Sequence, residues 1–545
     1  MKFLLLLAAS QLLAQQNYDL VVYGGTAGGV MTAIAGARHG LKTVLLEPRR
    51  HVGGMATGGL QRTDTGTREV IGGLALEFYF RVGQRYEIQR YKNPFAWFYE
   101  PKVGEDVMLE MLKEAGVTLH YYHRLKEQNG VVKVGTRITE IVTENGERFR
   151  GRIFADCTYE GDLMAQAKVS YFYGREGSTQ YSEALAGVRD RTPLHQFLFD
   201  VPARDENGQL FPEISSGKPG QAGTPDKGIQ AYNFRIVATD VAHNRLPWPK
   251  PAAYNPARYE LLSRYLNVFV KEKGRAPVFH ELTLIAKIPN GKADFNNNGP
   301  FSTDYIGKNY SYPDASYAQR DKIWQDHIDY VQGFYYFLSS DSRVPKSLQS
   351  EVNTWGLPKD EYLDTNHWPH QLYVREARRM VGDFVASQKD LQTELTKSDV
   401  IGMGSYNSDS HNIQRFENSK GMVENEGDMQ VAVKPYQIPF RIVLPKPAEA
   451  TNLLVPVCFS ASHVAYSSMR MEPQYMIIGH AAGVAAAMAI KAQLPVQQIS
   501  IPDLQKILVS ESAVFEYVKT PQEDALRLLH KKLRPKAPAT FNWEY

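Results

Sequence analysis

Two histidines lie in short polar segments whose composition suits proton transfer. His463 ends the segment 460–463, and His411 ends the segment 406–411. An imidazole titrates near neutral pH, so each histidine is a candidate catalytic base, with His463 the first choice. Asp409 is placed to orient the His411 ring. The alternative for either histidine is a structural role, with its ring hydrogen-bonded to the backbone.

A charged run at 375–379 is predicted to form a helix, on which Arg375 and Arg379 share one face. Two guanidinium groups on one face predict recognition of an anion, such as a carboxylate substrate. The alternative, which we favour, is an internal salt-bridge network with Glu376. Tyr406 and Asp409 join the two arginines as candidate substrate-binding residues.

The elements that must position these groups begin with a strand, a glycine turn and a helix. The apolar run at 20–23 predicts a buried parallel strand. Gly24 permits the tight turn and Gly29 lets the helix pack on the strand, so that backbone N–H groups face a pyrophosphate. Thr26 replaces the usual middle glycine, and its hydroxyl is able to donate a hydrogen bond to phosphate.

A second strand at 43–46 places Glu47 about 20 residues after the turn, where an acid hydrogen-bonds ribose hydroxyls. Its charge would repel a 2′-phosphate and therefore argues against NADP. A second glycine-rich loop at 53–59 indicates FAD rather than NAD. The predicted cofactor-binding residues are Gly24, Gly25, Thr26, Ala27, Gly28, Gly29, Glu47, Gly53, Gly54, Met55, Thr57, Leu125, Cys157, Thr158, Arg470 and Gln474.

Three later segments support a flavin-binding fold. A strand from residue 149 runs into a polar turn that ends at residue 162, and another apolar strand is predicted at 452–460. An Ala- and Gly-rich helix at 472–490 opens with Pro473, a favoured residue at a helix start. The N-terminal dipole of this helix is predicted to face the flavin carbonyl edge, with Arg470 beside it.

With these motifs the chain resembles the bacterial FAD-dependent oxidoreductases of the two-dinucleotide-binding-motif flavoprotein clan, especially exported members often mislabelled as xanthan lyases. The resemblance runs from Asp19 to Lys491 and implies an FAD cofactor, without identifying a substrate. Some flavoproteins attach FAD through a histidine in the region of His51, so a covalent link is an open alternative here. The segments that carry the resemblance are 51–55, 156–162, 181–183, 373–379, 409–411 and 460–463.

The expected fold is α/β, with a Rossmann-like FAD-binding domain around a central parallel sheet and an inserted mixed α+β substrate domain. The 545 residues are enough for two or more domains. The expected divisions are a signal peptide at 1–16, the FAD-binding domain at 17–175 and 451–500, the substrate domain at 176–450, and a C-terminal tail at 501–545.

Composition excludes some partners. The net charge of +3 predicts no nucleic-acid partner, and no spacing of metal ligands is present. Residues 1–16 combine one lysine, an apolar run and a cleavage site near Ala14, which predicts export to the periplasm or medium. This stretch is too short to span a bilayer, which needs about 20 apolar residues, so no membrane span is expected. Cys157 and Cys458 could be oxidised in an exported protein, but we favour two small buried residues, because a disulfide between adjacent parallel strands is strained.

These observations predict an exported FAD-dependent oxidoreductase that transfers hydride from a CH–OH group of a sugar, polyol or glycoside to flavin N5. The electron acceptor is unknown. One alternative is a CH–CH dehydrogenase or reductase acting beside a carboxylate held by Arg375 and Arg379. Another is a flavin-binding electron-relay protein without turnover.

Overall fold

The computed structural model describes residues 16–88 and 94–518, with only the backbone of Gln16. The rest of the predicted signal peptide and the last part of the predicted C-terminal tail, 519–545, lie outside these residues. The described strands are β1 (Gln16–Tyr23), β2 (Thr43–Leu46), β3 (Thr118–His120), β4 (Val131–Val134), β5 (Arg137–Val142), β6 (Arg148–Asp156), β7 (Tyr171–Phe172), β8 (Ile236–Thr239), β9 (Arg245–Leu246), β10 (Thr283–Ile288), β11 (Lys292–Asn297), β12 (Leu357–Pro358), β13 (Arg379–Met380), β14 (Val400–Gly404), β15 (Ser408–Ser410), β16 (Gln414–Glu417), β17 (Val423–Glu426), β18 (Met429–Val431), β19 (Tyr436–Pro439) and β20 (Leu453–Leu454). The described α-helices are α1 (Ala27–Arg38), α2 (Gly73–Arg85), α3 (Pro101–Glu114), α4 (Asp162–Gln166), α5 (Glu260–Lys273), α6 (Tyr317–Ser340), α7 (Lys346–Val352), α8 (Gln388–Gln392), α9 (His463–Met469), α10 (Glu472–Ala492) and α11 (Ile501–Ser510).

The main sheet has the strand order β3-β2-β1-β6-β5-β4, and β20 also pairs with β6. Strands β3, β2, β1, β6 and β20 are parallel, with Val21 opposite both Val44 and Phe154. Strands β5 and β6 form a hairpin that turns at Asn145–Gly146, and β4 and β5 add two antiparallel strands to the edge. The α/β expectation is therefore confirmed, with a mixed rather than wholly parallel sheet.

Helices α1 and α10 pack together with almost no space between their backbones. A Cβ added to Gly479 would lie 2.2 Å from the carbonyl oxygen of Gly28, and one added to Gly483 would lie 2.4 Å from that of Thr32. The glycines therefore allow α10 to lie directly on the nucleotide-binding helix. Of the described helices, α10 is long and apolar enough to cross a membrane by length and composition, and most of it is buried inside the protein.

The segment between β6 and β20 forms small antiparallel sheets and additional helices. A three-stranded sheet has the order β10-β11-β8, and α6 is the longest helix of the segment. Aromatic rings fill the space between them, with Trp248 stacked on Tyr335 at 4.4 Å between centroids. This region is the mixed α+β part that the sequence predicts.

The prediction of a helix at 375–379 is wrong, because this segment is extended and ends in β13. Its backbone bonds run to other parts of the chain: Tyr373 N–H donates to Asn233 O, and Met380 N–H donates to Cys458 O. The strand predicted at 452–460 is also shorter, at Leu453–Leu454. Pro456 has no N–H to donate to a sheet, which accounts for the early end.

Candidate active site

The glycine turn between β1 and α1 has the geometry of a phosphate cradle. Gly24 has a φ of +100°, and a Cβ added to Gly29 would lie 1.9 Å from the carbonyl oxygen of Gly24. Neither position tolerates a side chain. The first N–H groups of α1, including those of Ala27 and Gly28, are therefore open to an anion at the helix N-terminus.

Thr26 caps the helix. Its Oγ1 accepts a hydrogen bond from the N–H of Gly29 at 3.2 Å and donates one to the carbonyl of Cys157 at 2.7 Å. The hydroxyl proton is thus used inside the protein, and the expected donation from Thr26 to phosphate is not what the structure shows. Cys157 itself is buried, and its thiol contacts Thr32 at 3.8 Å. Cys157 and Cys458 are both free, as expected.

Glu47 follows β2 and faces the glycine turn. One carboxylate oxygen accepts from the N–H of Gly25 at 2.7 Å and the other accepts from the N–H of Arg49 at 2.7 Å. Burial raises the pKa of Glu47 to about 7, although both backbone donors act in the opposite direction. The acid therefore stands beside the phosphate cradle, where the sequence predicts a ribose partner.

A cleft passes Gly24, Thr26 and Glu47 and continues to Thr158 and Tyr159. Thr158 is fixed by Asp156, which accepts from its Oγ1 at 2.7 Å. The opposite wall of the cleft, which the sequence reasoning missed, comes from α6 and from the segment that precedes it. Tyr317 and Trp324 of α6 both line this wall.

The outer end of this cleft carries Leu125, one of the predicted cofactor-binding residues. The N–H of Leu125 donates to Tyr23 Oη at 2.9 Å, and its carbonyl accepts from Tyr317 Oη at 2.9 Å. Both backbone groups of Leu125 are therefore already bonded to tyrosine hydroxyls, and a cofactor would have to share them. Beside them the guanidinium of Arg49 lies 3.9 Å from the centroid of Trp324. This cation–aromatic pair borders the cleft.

The second glycine loop lies against the start of α10. Tyr159 Oη accepts from the N–H of Met55 at 2.9 Å and donates to Glu472 at 2.7 Å, while a Cβ on Gly54 would lie 2.3 Å from the same hydroxyl. Thr57 Oγ1 donates to the carbonyl of Val52 at 2.5 Å, which stabilises the loop. The left-handed φ of Gly53, +99°, allows the chain to turn sharply at the start of this loop.

The start of α10 carries buried polar atoms that have no partner among the described residues. Both Nε2 and Oε1 of Gln474 and one oxygen of Glu472 are of this kind. Met471, the N-cap residue, provides no side-chain hydrogen bond to the helix. Buried amides without partners are costly, so this end of α10 is suited to a polar ring edge. With the glycine cradle and Glu47, these groups fit FAD.

His411 forms a pair with a carboxylate distant in sequence. Its Nδ1 lies 2.7 Å from Asp304, whereas Asp409, the predicted orienting residue, lies 3.9 Å from Nε2. The orienting residue is therefore Asp304. Burial alone would raise the pKa of Asp304, but Arg375 and His411 lower it to about 2. Burial and Arg375 lower the pKa of His411, which favours a neutral ring.

His463, the first residue of α9, forms a second such pair. Its Nδ1 lies 2.8 Å from Glu376, and its N–H donates to Glu176 at 2.9 Å. Burial raises the pKa of Glu376, but His463 and Arg379 outweigh burial and bring it to about 2. Both predicted histidines thus have a buried carboxylate at Nδ1.

Gln230 joins the two pairs. Its Nε2 donates to Glu376 at 2.7 Å, and its Oε1 accepts from Arg470 at 3.2 Å and from the N–H of His411 at 3.4 Å. Gln230 is fully buried. The two histidines therefore belong to one polar network, and neither Gln230 nor Asp304 shows any local sequence signal for this role.

The predicted arginines do not form a joint anion site. Arg379 donates to Glu176 at 2.8 Å and to Glu376 at 2.9 Å, the salt-bridge network that we favoured. Arg375 lies 3.0 Å from Asp304 and is buried. The two side chains therefore have separate partners.

Arg470 lies on the histidine side of the site. It donates to Tyr373 Oη at 2.9 Å and to the carbonyl of Asp409 at 2.8 Å. Burial raises the pKa of Tyr406, and nearby Asp64 and Asp409 add to the rise. Tyr406 and Asp409, both half-buried, border the same network as Arg470, and their role in substrate binding stays a prediction.

His51 does not favour covalent attachment. Its Nδ1 lies 3.0 Å from Glu105 and its Nε2 lies 3.0 Å from Asp364. Both ring nitrogens are thus bonded to carboxylates, and the ring stacks on His370 with 4.1 Å between centroids.

Residues 19–508 match a protein-family model described as FAD dependent oxidoreductase. Among curated proteins, none matches the chain. Three solved structures match about a third of it. The OxyS anhydrotetracycline hydroxylase from Streptomyces rimosus is 14% identical over 34% of this chain and 43% of its own, with a TM-score of 0.24.

Two further structures give similar values. NikD, an unusual amino acid oxidase essential for nikkomycin biosynthesis, is 15% identical over 30% of this chain and 57% of its own, with a TM-score of 0.22. A flavoprotein/dehydrogenase from Cytophaga hutchinsonii is 15% identical over 29% of this chain and 44% of its own, also with a TM-score of 0.22. The matched region thus spans between two fifths and three fifths of the length of these structures.

Proposed function

We propose that this chain, which belongs to the FAD dependent oxidoreductase family, oxidises a CH–OH group of a sugar, polyol or glycoside. Its cofactor is FAD. The observation that carries the proposal is the pair of histidines, each with an ionised carboxylate at Nδ1. Such a carboxylate keeps the proton on Nδ1 and leaves Nε2 to accept one.

FAD supplies a hydride acceptor at N5 when it is bound. The chain has to remove the hydroxyl proton, and we assign this role to Nε2 of His411. Burial and Arg375 lower the pKa of His411, so the ring is neutral and able to act as a base. His463, the first choice from the sequence, becomes the second candidate and is linked to His411 through Glu376 and Gln230.

The charges of the network support an uncharged substrate. Each buried arginine near the histidines has a carboxylate close by: Asp304 for Arg375, Glu176 and Glu376 for Arg379, and Asp409, at 3.8 Å, for Arg470. A substrate carboxylate would have to compete with these residues. This favours a CH–OH substrate over an unsaturated acid, which was the alternative from the sequence.

The test is the visible spectrum of the purified holoprotein, recorded anaerobically before and after addition of a pooled sugar and polyol panel. Bleaching of the flavin bands by the pool is expected, and loss of bleaching in His411→Asn would assign the base. The matched variant His463→Asn measures the second histidine. Bands that persist with the pool but bleach with 2-enoic acids would overturn the proposal in favour of CH–CH chemistry.

We also propose that the protein is exported. The support is the pattern of residues 1–16, one lysine followed by an apolar run and a small residue before Gln15. N-terminal sequencing of protein recovered from the cell envelope or medium should find a chain that begins near residue 15. An intact Met1 in cytoplasmic protein alone would contradict export.

A further inference from the structure

Two histidines and a glutamate converge beside β3, the edge strand of the main sheet, outside the histidine network of the active site. His120 ends β3, His123 follows three residues later, and Glu147 lies in the turn between β5 and β6. One ligand atom from each lies within 4.8 Å of the other two. No metal spacing is visible in the sequence, because the third group comes from a turn that only the fold brings close.

The hydrogen bonds of His123 determine which ring nitrogen carries a lone pair. Nδ1 lies 2.6 Å from the carbonyl oxygen of Tyr121, an acceptor only, so Nδ1 carries the proton. In the neutral ring Nε2 is then an acceptor, yet it lies 3.3 Å from a carboxylate oxygen of Glu147. Two facing acceptors need a donor or a cation between them. The Asn145 amide now donates to both, at 3.2 and 3.3 Å.

The spacing of His123 and Glu147 suits zinc, and His120 lies within 4.8 Å of both. Two ligands bound at about 2.0–2.1 Å with tetrahedral angles are about 3.3–3.4 Å apart, which matches His123 Nε2 and Glu147. His120 completes the set, and Phe149 presents an edge-to-face contact to both imidazoles at 5.6 Å. The Tyr121 carbonyl supplies the outer hydrogen bond that metal-bound histidines usually make.

A second cluster, of three carboxylates, is already neutralised by a lysine. Glu100, Asp360 and Glu361 also converge, but the ammonium of Lys292 lies among them at 2.5, 2.7 and 2.6 Å. That group already holds a cation. No lysine or arginine is placed in this way at the histidine cluster within the described residues.

We propose that His120, His123 and Glu147 bind one zinc ion and that this ion stabilises the loop carrying Glu47. The backbone makes the connection: Glu47 N–H donates to His120 O at 2.8 Å, and His123 N–H donates to Glu47 O at 2.9 Å. Glu147 is about a third exposed, so zinc can enter from solvent and water can complete the coordination.

The experiment uses the full-length holoprotein, treated with a chelator, desalted and titrated with ZnCl₂ in a calorimeter. One zinc per chain is expected. His120→Ala and Glu147→Gln should each weaken binding at least about tenfold, the lower end for disturbing a metal site. His243→Ala, which removes an exposed histidine elsewhere, is the matched control and should bind zinc like the wild type.

Two readouts make the result decisive. Zinc should raise the melting temperature of the wild type but not of His120→Ala, and the zinc absorption edge should show nitrogen or oxygen at about 2.0–2.1 Å without sulfur. Equal FAD content in all variants shows that they fold. No stoichiometric zinc in the wild type, or equal affinity in His120→Ala, would mean an ordinary imidazole–carboxylate pair and overturn the proposal.

Discussion

The carboxylate of Asp304 lies 2.7 Å from Nδ1 of His411, although the two residues are 107 positions apart in the chain. The pKa of Asp304 is about 2, because Arg375 and His411 outweigh the effect of burial. The group is therefore a permanent negative charge at neutral pH. It orients the ring and raises the proton affinity of His411, against burial and Arg375, which lower it.

Asp304→Asn should lower kcat/KM by about 10²–10⁴-fold, the usual range for general acid–base catalysis. The acidic limb of the kcat/KM profile should also move to lower pH, because loss of the carboxylate charge lowers the pKa of His411. Both effects are measured by initial rates across pH on the substrate found in the spectral screen. Asp304→Glu should recover part of the rate, which a merely structural role would not explain.

Arg375→Gln should move the same acidic limb in the opposite direction. Arg375 lowers the pKa of His411, so its removal raises the pKa, and protonation of the base then inhibits the enzyme at a higher pH. The pH profile of kcat/KM in this variant is the measurement. Shifts of the same sign in the Arg375 and Asp304 variants would contradict electrostatic control of His411.

The nucleotide half of the site could be predicted because its determinants are local. Gly24, Gly29 and Glu47 lie within one βαβ unit, whose turn and spacing are set by backbone geometry. The second strand was predicted at 43–46 and is observed at Thr43–Leu46. Leu125 was the exception, since its partners Tyr23 and Tyr317 come from two other elements.

The histidine half could be predicted only as a set of candidates. His411 and His463 stand out by type, but their partners are far away in sequence: Gln230 reaches Glu376 across 146 positions. The prediction of a helix at 375–379 failed for a related reason. Charges spaced four apart suit a helix, yet they suit equally an extended segment whose side chains bond to different neighbours.

Glu47→Gln should weaken FAD binding about 10–100-fold, because a hydrogen bond to a charged group contributes about 1.5–3 kcal/mol. The pKa of Glu47 is about 7 without ligand, so wild-type affinity should rise from pH 6 to pH 8 as the acid ionises. The variant should lack this rise. Fluorescence of released FAD at both pH values measures the effect, with Glu206→Gln on an exposed loop as control. If the affinity of Glu47→Gln for FAD rises with pH as it does in the wild type, Glu47 does not bind the cofactor.

Gly29→Ala should lose FAD and melt at a lower temperature. Its Cβ would lie 1.9 Å from the carbonyl oxygen of Gly24 and 2.9 Å from Cys157 Cβ, so α1 must move away from the end of β1. Overpacking of this kind costs about 1–3 kcal/mol or more. Thermal unfolding and the ratio of flavin to protein absorbance are the measurements. Gly217→Ala, whose nearest contact is 3.6 Å away, should behave as wild type, and full FAD content in Gly29→Ala would contradict the cradle.

Glu472→Gln should stabilise the protein at alkaline pH. Burial raises the pKa of Glu472 from its ordinary value of 4.5 to about 8, against Tyr159 and Arg470. A carboxyl group with a raised folded-state pKa contributes stability that is fully present below the unfolded value and is lost as pH rises through about 8.

The neutral amide of Glu472→Gln keeps the shape of the side chain without this loss. The difference in melting temperature between variant and wild type should therefore be small at pH 5, grow in favour of the variant up to about pH 8 and stay level from there to pH 9. A constant difference across that range would mean that Glu472 is ionised in the folded protein at pH 5.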